Sequence, residues 1–436
     1  MTRILYGNFD FEHELEDRSY RPSPRIAAFT AQLVPHLIAL AADGDYLWNS
    51  ADIPHEFLTA AAQAGLPEVR RCGLSDALSA ESGDVPAQLV SEHWGWSAAS
   101  IHAADKQKWR TVCPGPAATS HVNDRVFAAG LEAESGCGIP GSCLIRSHDE
   151  LLDAIRLTAV QFKLQEDELQ WVVKSRFGMA SRGRICGTGT TCGPSAAGWL
   201  SRQFHRNTDV VFEPWVKCDR EFSTQWVLPC RGGSPELLGW TEILNGTDGA
   251  PGCWNIRAAY PFAESEFQSA LPMLTEAVNQ IAAEGYFGPV GIDSMRYFDP
   301  GTHETAAVTT RGVSCHMRPL QDINGRYTMG RVALELAARI CPGQDAFWLQ
   351  LPATGICQAV NVGSQRQARD LYARQGLEIS DSLRVADGKT VRLPDELRVW
   401  LTSPLWSDAA PSLRCGVLIA GPESAYLARH FMGICP

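Results

Sequence analysis

The sequence predicts a mixed α/β (α+β) protein, and three observations carry that prediction. Apolar runs of strand length recur, amphipathic helical stretches separate them, and Gly or Pro clusters punctuate the joins. At the start, Ile4-Leu5-Tyr6 followed by Gly7-Asn8 reads as a strand and turn, and Ile26, Phe29, Leu33, Leu37 and Leu40 fall on one face of a helix. Short elements continue to a break at Cys113-Pro114-Gly115-Pro116. Within that region Glu92-His93-Trp94-Gly95-Trp96-Ser97 is polar and aromatic together, which suits either a pocket lining or two tryptophans packed at a domain seam.

Next, Asn123-Asp124-Arg125 opens a helical pattern that runs into Gly138-Ile139-Pro140-Gly141. Trp171-Val172-Val173-Lys174 is an apolar run ending in a cation, and residues 175–184 interleave small residues, among them Gly178, Ser181 and Gly183, with arginines. Glycine lets a backbone approach an anion closely, and Lys and Arg add charge-assisted contacts to phosphate oxygens. Val210-Val211-Phe212-Glu213-Pro214-Trp215-Val216 reads as a buried strand ending in a carboxylate that, taken singly, is expected in solvent. From Glu221 to Leu228 the polar residues Glu221, Ser223 and Gln225 alternate with Phe222, Thr224, Trp226 and Leu228, so one face is expected polar and the other packed.

Leu271, Leu274, Val278 and Ile281 mark a helix stopped by Gly285. Pro289-Val290-Gly291-Ile292 then leads a strand to Asp293, and the Asp299-Pro300-Gly301 turn lets the chain double back to a strand carrying Asp322 and Asn324, with Arg326 just beyond. Strand alternation points Asp322 and Asn324 the same way. Two carboxylates and an amide then converge, the oxygen-rich set a magnesium ion takes together with nucleotide oxygens. His303 and His316, between these segments, are read as ordinary surface or packing histidines rather than substrate contacts. A helix with Val332, Leu336 and Ile340 ends near Pro342-Gly343, and Val417-Leu418-Ile419-Ala420 reads as a strand before a terminal helix through Tyr426 and His430.

Taken in order, Lys174 with its glycine loop, Glu213-Pro214-Trp215-Val216 with Glu221, Asp293, and Asp322-x-Asn324-x-Arg326 resemble the ATP-grasp superfamily over about half the chain, from near residue 115 to near 340. The resemblance implies an N-terminal α/β pre-ATP-grasp domain at 1–115, a linker helix and mobile lid at 116–230, a core with a metal site at 231–345, and an α/β cap at 346–436. It implies that Lys174 and Arg125 contact the nucleotide phosphates, that the loop with Gly178, Ser181 and Gly183 closes over them, and that Glu213, Trp215 and Val216 receive the adenine edge. Glu221 would reach the ribose or order the site, Asp293, Asp322 and Asn324 would hold Mg2+, and Arg326 would meet an acyl phosphate or the substrate carboxylate. Two positions depart from the family: it usually has glutamate where this chain has Asp322, and lysine where it has Arg125. The activity implied is an ATP-dependent ligase joining a carboxylate to an amine. A thiol acceptor, a carboxylase and an ATP-binding module without catalysis stay open.

Composition narrows the partners. At 436 residues with 45% hydrophobic residues, a buried core is assured, and a formal charge of −11 without a basic cluster outside the glycine loop argues against nucleic acid. Small-molecule carboxylate and amine substrates are expected. The 14 cysteines form no Cys-x-x-Cys pair, so free thiols in a reducing cytoplasm are expected rather than zinc, although Cys137 and Cys143, and Cys186 and Cys192, each frame a Gly-containing loop. The N-terminus turns acidic at Asp10 with no long apolar stretch, so neither a signal peptide nor a membrane span is expected. A homodimer is the default assembly.

Overall fold

The computed structural model describes residues 1–48, 53–73, 89–178, 183–206, 208–230, 232–245, 251–256, 265–300, 315–379, 382–384, 390–392, 396–406 and 411–432. Among these, Arg70–Cys72, Tyr46–Trp48, Arg3–Tyr6, Val90–His93 and Arg110–Thr111 lie side by side in one five-stranded sheet, and every pair is parallel. Parallel neighbours require crossover connections. The helices His55–Gln63 and Ala98–Lys106 supply two of them.

The helix expected over Ile26–Leu40 is divided. Pro24–Leu33 is α-helical, and Val34–Leu40 continues as a 3-10 helix. Pro35 causes the change, because it lacks the N–H an α-helix needs and its ring clashes with the carbonyl four residues back. Burial concentrates in the second piece, where every residue from Val34 to Leu40 is buried.

Four strands form a smaller antiparallel sheet in the order Cys143–Ile145, Val210–Pro214, Gln170–Lys174, Arg184–Thr188. A nine-stranded antiparallel sheet has Cys315–Asn324 at one edge, followed by Gly288–Phe298, Lys217–Leu228, Glu236–Asn245, Pro251–Ile256, Ala346–Pro352, Arg414–Ala420, Arg398–Leu401 and Glu378–Ile379. It draws strands from either side of residues 230 and 345, since Lys217–Leu228 pairs with Gly288–Phe298 and Ala346–Pro352 pairs with Pro251–Ile256. The expected helix at Leu271–Ile281 runs from Ser265 to Ala283, and Gly285 follows it at φ 80°, the left-handed conformation that ends helices. The terminal helix spans Ser424–Phe431.

The largest apolar cluster joins the parallel sheet to the C-terminal strands, through Leu5, Leu37 and Leu47 on one side and Trp348, Val417 and Leu418 on the other. Trp94 belongs to it, packed on Phe9 with ring centroids 4.5 Å apart. Trp96, also 4% exposed, stacks instead on His93 at 4.0 Å. A second cluster lies beneath the Gly288–Phe298 and Cys315–Asn324 strands, with Trp226, Leu274, Val278, Ile292 and Leu320. No helix among the described residues is long and apolar enough to cross a membrane.

Trp348 is fully buried and donates its indole N–H to Thr402 Oγ1 at 2.9 Å. Trp348→Ala should therefore cost about 3–5 kcal/mol in denaturant unfolding; a loss below about 1 kcal/mol would show that this junction adds little to the core.

Candidate active site

The strand pairing puts the expected ligands together. Asp293 on Gly288–Phe298 sits directly opposite Asp322 on Cys315–Asn324, and Gly291 sits opposite Asn324. Side chains of directly opposed residues share a face. Asn324 uses both ends of its amide: Nδ2 donates to Asp293 Oδ2 at 3.3 Å, and Oδ1 accepts from Arg326 Nη2 at 2.7 Å. Asp322 Oδ2 lies 3.7 Å from Arg125 Nη2.

Burial is the largest influence on Asp293 and raises its carboxyl to about 7; the Asp322 and Glu221 charges add to this, against a hydrogen bond from Ser223 and the charge of Arg326. Excess negative charge of this kind is what a bound cation relieves. Among the described residues no three His, Cys, Asp or Glu side chains are gathered as a metal-binding group. The candidate donor set is two carboxylates and the Asn324 amide, whose Oδ1 would have to turn from Arg326 toward a magnesium ion that completes its shell with phosphate oxygens and water.

Arg125 begins the helix Arg125–Ser135, whose first turn is capped by the Asp124 side chain accepting from Val126 N at 2.9 Å. Its guanidinium donates to Ser175 O at 3.0 Å and Gly178 O at 2.6 Å. Arg125 therefore ties the start of the glycine loop to Asp322. At the loop's far end Gly183 has φ 70°, and its carbonyl accepts from Ser175 N at 2.7 Å. A Cβ there would lie 2.4 Å from Ser175 Oγ and 3.0 Å from the Phe177 carbonyl oxygen, so only glycine closes this turn. Ser181 lies outside the described residues, as does His303.

Lys174, at the end of its strand, meets Glu213 Oε2 at 2.6 Å. Glu213 is not the solvent-facing carboxylate expected from the sequence: it is 4% exposed. Its strand lies between two others, and Arg318 reaches it from the nine-stranded sheet at 2.7 and 3.1 Å. Arg318 also donates to both oxygens of Glu132 on the Arg125–Ser135 helix. Burial by itself would raise the Glu213 carboxyl, but Arg318 and Lys174 reverse this and hold it well below the usual carboxylate range. For Glu132 burial prevails and the carboxyl is raised.

The remaining expected residues are spread around this centre. Glu221 accepts from Gln321 Nε2 at 2.9 Å and from Asn245 Nδ2. Ser223 and Gln225, expected on a polar face, are each 2% exposed, because the Met329–Ile340 helix and its cap Thr328 pack there; Thr328 Oγ1 donates to Gln225 Oε1 at 2.7 Å. Val216 is buried with Ile139, Met295 and Tyr297, whereas Trp215 is 42% exposed with the Arg184 guanidinium 5.8 Å from its ring centroid. His316 pairs with Asp299 at 3.2 Å and lies against Tyr297.

Sequence reasoning missed Arg318, Glu132 and Glu12. Arg318 has the same parity as Asp322 and Asn324, so alternation alone would have put it on their face. Nothing local marks Glu12, which bonds Arg326 across 314 residues.

Two solved structures share this architecture from end to end. A Campylobacter jejuni biotin carboxylase in a β-γ-ATP complex aligns over 97% of this chain and 87% of its own, with TM-score 0.51 and 11% identity. An N5-carboxyaminoimidazole ribonucleotide synthetase from Thermus thermophilus aligns over 100% and 99%, with TM-score 0.50 and 13% identity. The chain has the ATP-grasp fold. No protein-family model matches the sequence, and no curated protein does. At such identities the likeness carries the ATP-grasp architecture alone.

Two outcomes test this geometry. Arg318→Met leaves Glu132 and Glu213 buried without their shared cation, and should lower unfolding free energy by about 3–5 kcal/mol; a change under 1 kcal/mol, on the scale of roughly ordinary surface substitutions, would show that the ion set does not hold the two sheets. In chelator-treated protein, Asp293 holds a proton up to about pH 7 when folded but releases it near its ordinary 3.8 when unfolded. Its contribution to stability is thus full below pH 4 and is lost as pH rises toward 7. The Tm of Asp293→Asn minus that of the parent should therefore increase steadily across this range, and a flat difference would contradict the raised carboxyl.

Proposed function

We propose that the chain is an ATP-dependent carboxylate-amine ligase, forming an amide through an acyl phosphate with release of ADP and phosphate. The observation that carries this reading is the continuous contact set Arg125–Asp322, Asp293–Asn324 and Asn324–Arg326 at the end of paired strands, with the glycine loop tied to it through Arg125. It assembles acceptors for a cation and donors for phosphate in one place. The β-γ-ATP complex of a protein with the same fold supports ATP as the ligand.

Lys174 would turn from Glu213 to the nucleotide phosphates, a move that leaves Glu213 matched by Arg318. Arg125 would add a second cation from the opposite side of the loop. Magnesium, which Asp293, Asp322 and Asn324 would hold, neutralises phosphate charge when bound. The 213–216 strand end, with Val216 packed beside Ile139 and Met295, would receive the adenine edge, and Glu221 would keep the metal-bearing strands ordered. Arg326 would orient the substrate carboxylate as it takes the γ-phosphoryl group, and the loop with Gly178, Ser181 and Gly183 would keep water from the acyl phosphate until the amine attacks.

A second reading, a nucleotide-binding module without turnover, draws on Asp322 being one methylene shorter than the family's glutamate and on the Lys174–Glu213 pair. Incubation with magnesium-ATP, hydroxylamine and a pooled panel of amino acids, dipeptides and simple carboxylic acids decides between them. Hydroxamate with stoichiometric ADP is expected, and Lys174→Ala or Asp322→Ala should lower the rate about 100-fold or more while leaving the fold intact. AMP as product would refute the acyl-phosphate route; bicarbonate-dependent ADP release without hydroxamate would indicate a carboxylase, a thioester product would indicate a thiol ligase, and ATP binding without ADP would indicate the module.

A further inference from the structure

Arg326 commits four of its five N–H groups to protein acceptors, which leaves one Nη1 N–H for a substrate carboxylate. Its Nη1 donates to Tyr327 O at 3.0 Å and its Nη2 to Asn324 Oδ1 at 2.7 Å. Nε and Nη2 both reach a third group, Glu12 Oε1, at 2.8 and 2.7 Å. Glu12 lies on the short helix Phe11–Glu16, just after the first strand of the parallel sheet.

This pairing is unusual in one respect. A guanidinium meeting a carboxylate side-on ordinarily gives each oxygen its own N–H. Here Oε1 takes both, and Oε2, buried on a residue only 5% exposed, meets no hydrogen-bond donor among the described residues. A buried charged acceptor left unmatched is costly, and such an atom calls for a specific explanation. Arg326 does not supply the missing donor, since the two N–H groups on its Glu12 side, on Nε and Nη2, both go to Oε1.

The location of Oε2 narrows what would. From Glu12 the bonds run through Arg326 and Asn324 to Asp293, so this oxygen stands at the opposite end of the polar chain from the metal-binding carboxylates. The segment around it is acidic: Asp10 is 7% exposed, and Glu14 has its carboxyl raised by burial and by Asp10. A carboxylate oxygen only accepts hydrogen bonds. A ligand that donates N–H groups and brings positive charge answers both conditions.

We propose that Glu12 Oε2 is the anchoring acceptor for the amine substrate, a primary amine that docks in its ammonium form beside Arg326 and passes a proton to this carboxylate before its nitrogen attacks the acyl carbon and phosphate leaves. The assignment rests on the ligase reading and deepens it, naming the amine's chemistry and the residue that holds it. Arg326 then acts at two places at once, fixing Glu12 through Oε1 and facing the carboxyl group to be joined.

The test titrates the full chain with methylammonium chloride, and with tetramethylammonium chloride at equal ionic strength, by calorimetry. The parent protein should bind methylammonium and not tetramethylammonium, which has no N–H. Glu12→Gln should weaken methylammonium binding at least about tenfold, as loss of a charged hydrogen bond implies. Glu12→Asp, which keeps the charge but shortens the reach, should weaken it with the native Tm retained, and serves if Glu12→Gln does not fold. In turnover, either variant should raise KM for methylamine more than KM for ATP; equal increases would mean that Glu12 merely holds Arg326 in place and would overturn the proposal. Unchanged binding in both variants, equal binding of the two cations, or no methylammonium binding by the parent would overturn it as well. Amine-dependent ADP formation together with Glu12-independent binding would sink this proposal and leave the ligase standing. Glu12-dependent binding without ADP formation from any amine would sink the ligase reading and leave the amine site.

Discussion

Four charges at one junction, three of them buried and the fourth half-buried, join this molecule's two antiparallel sheets. Lys174 and Glu213 come from adjacent strands of the smaller sheet, Arg318 from the edge strand of the larger one, and Glu132 from the helix between them. Removing these groups from water is costly, and the cost is offset only when every charge finds its opposite at good geometry. Each member therefore constrains the rest: Arg318 serves both glutamates, and Glu213 serves both cations. Because Arg318 lies on the same strand as Asp322 and Asn324, the junction that docks the smaller sheet also fixes where Lys174 stands relative to Asp293 and Asp322.

Close backbone approaches complete that arrangement. Gly325, between Asn324 and Arg326, is pinned by Asn123, which accepts from Gly325 N at 2.9 Å and donates to its carbonyl at 3.3 Å. A Cβ at Gly325 would lie 2.7 Å from Val122 Cγ2 and 2.8 Å from Asn123 Nδ2, so a side chain would push the end of the Pro116–Val122 helix away from the strand end. Gly291, opposite Asn324, is just as confined, since its Cβ would meet Thr328 Cγ2 at 2.4 Å. Asp293, Asp322 and Asn324 thus sit at a place where helix starts, strand ends and the glycine loop meet with no spare room.

Much of the local structure was legible in the residues. The first strand, the helix stopped by Gly285, the capped start at Asp124, and the strand with Asp322 and Asn324 facing together all follow from period, capping and turn chemistry, which act within a few residues. The helix broken at Pro35 was legible too, had the missing N–H been weighed against the apolar spacing. Glu213 failed for a different reason. A carboxylate at a strand end is solvent-exposed unless cations converge on it, and those cations lie 39 residues before it and 105 after it.

Sequence by itself determined which residues share a strand face or a helix stripe, where the chain turns, and which oxygen and nitrogen groups stand ready at those points. These depend on backbone geometry and neighbouring side chains. Only the tertiary structure decided that Asp293 pairs with Asp322, that Arg125 bridges the glycine loop to that pair, that Arg318 joins two distant glutamates, and that Glu12 meets Arg326. Those contacts depend on desolvation and on complementary charge between segments up to 314 residues apart, and neither is encoded in any local stretch of the chain.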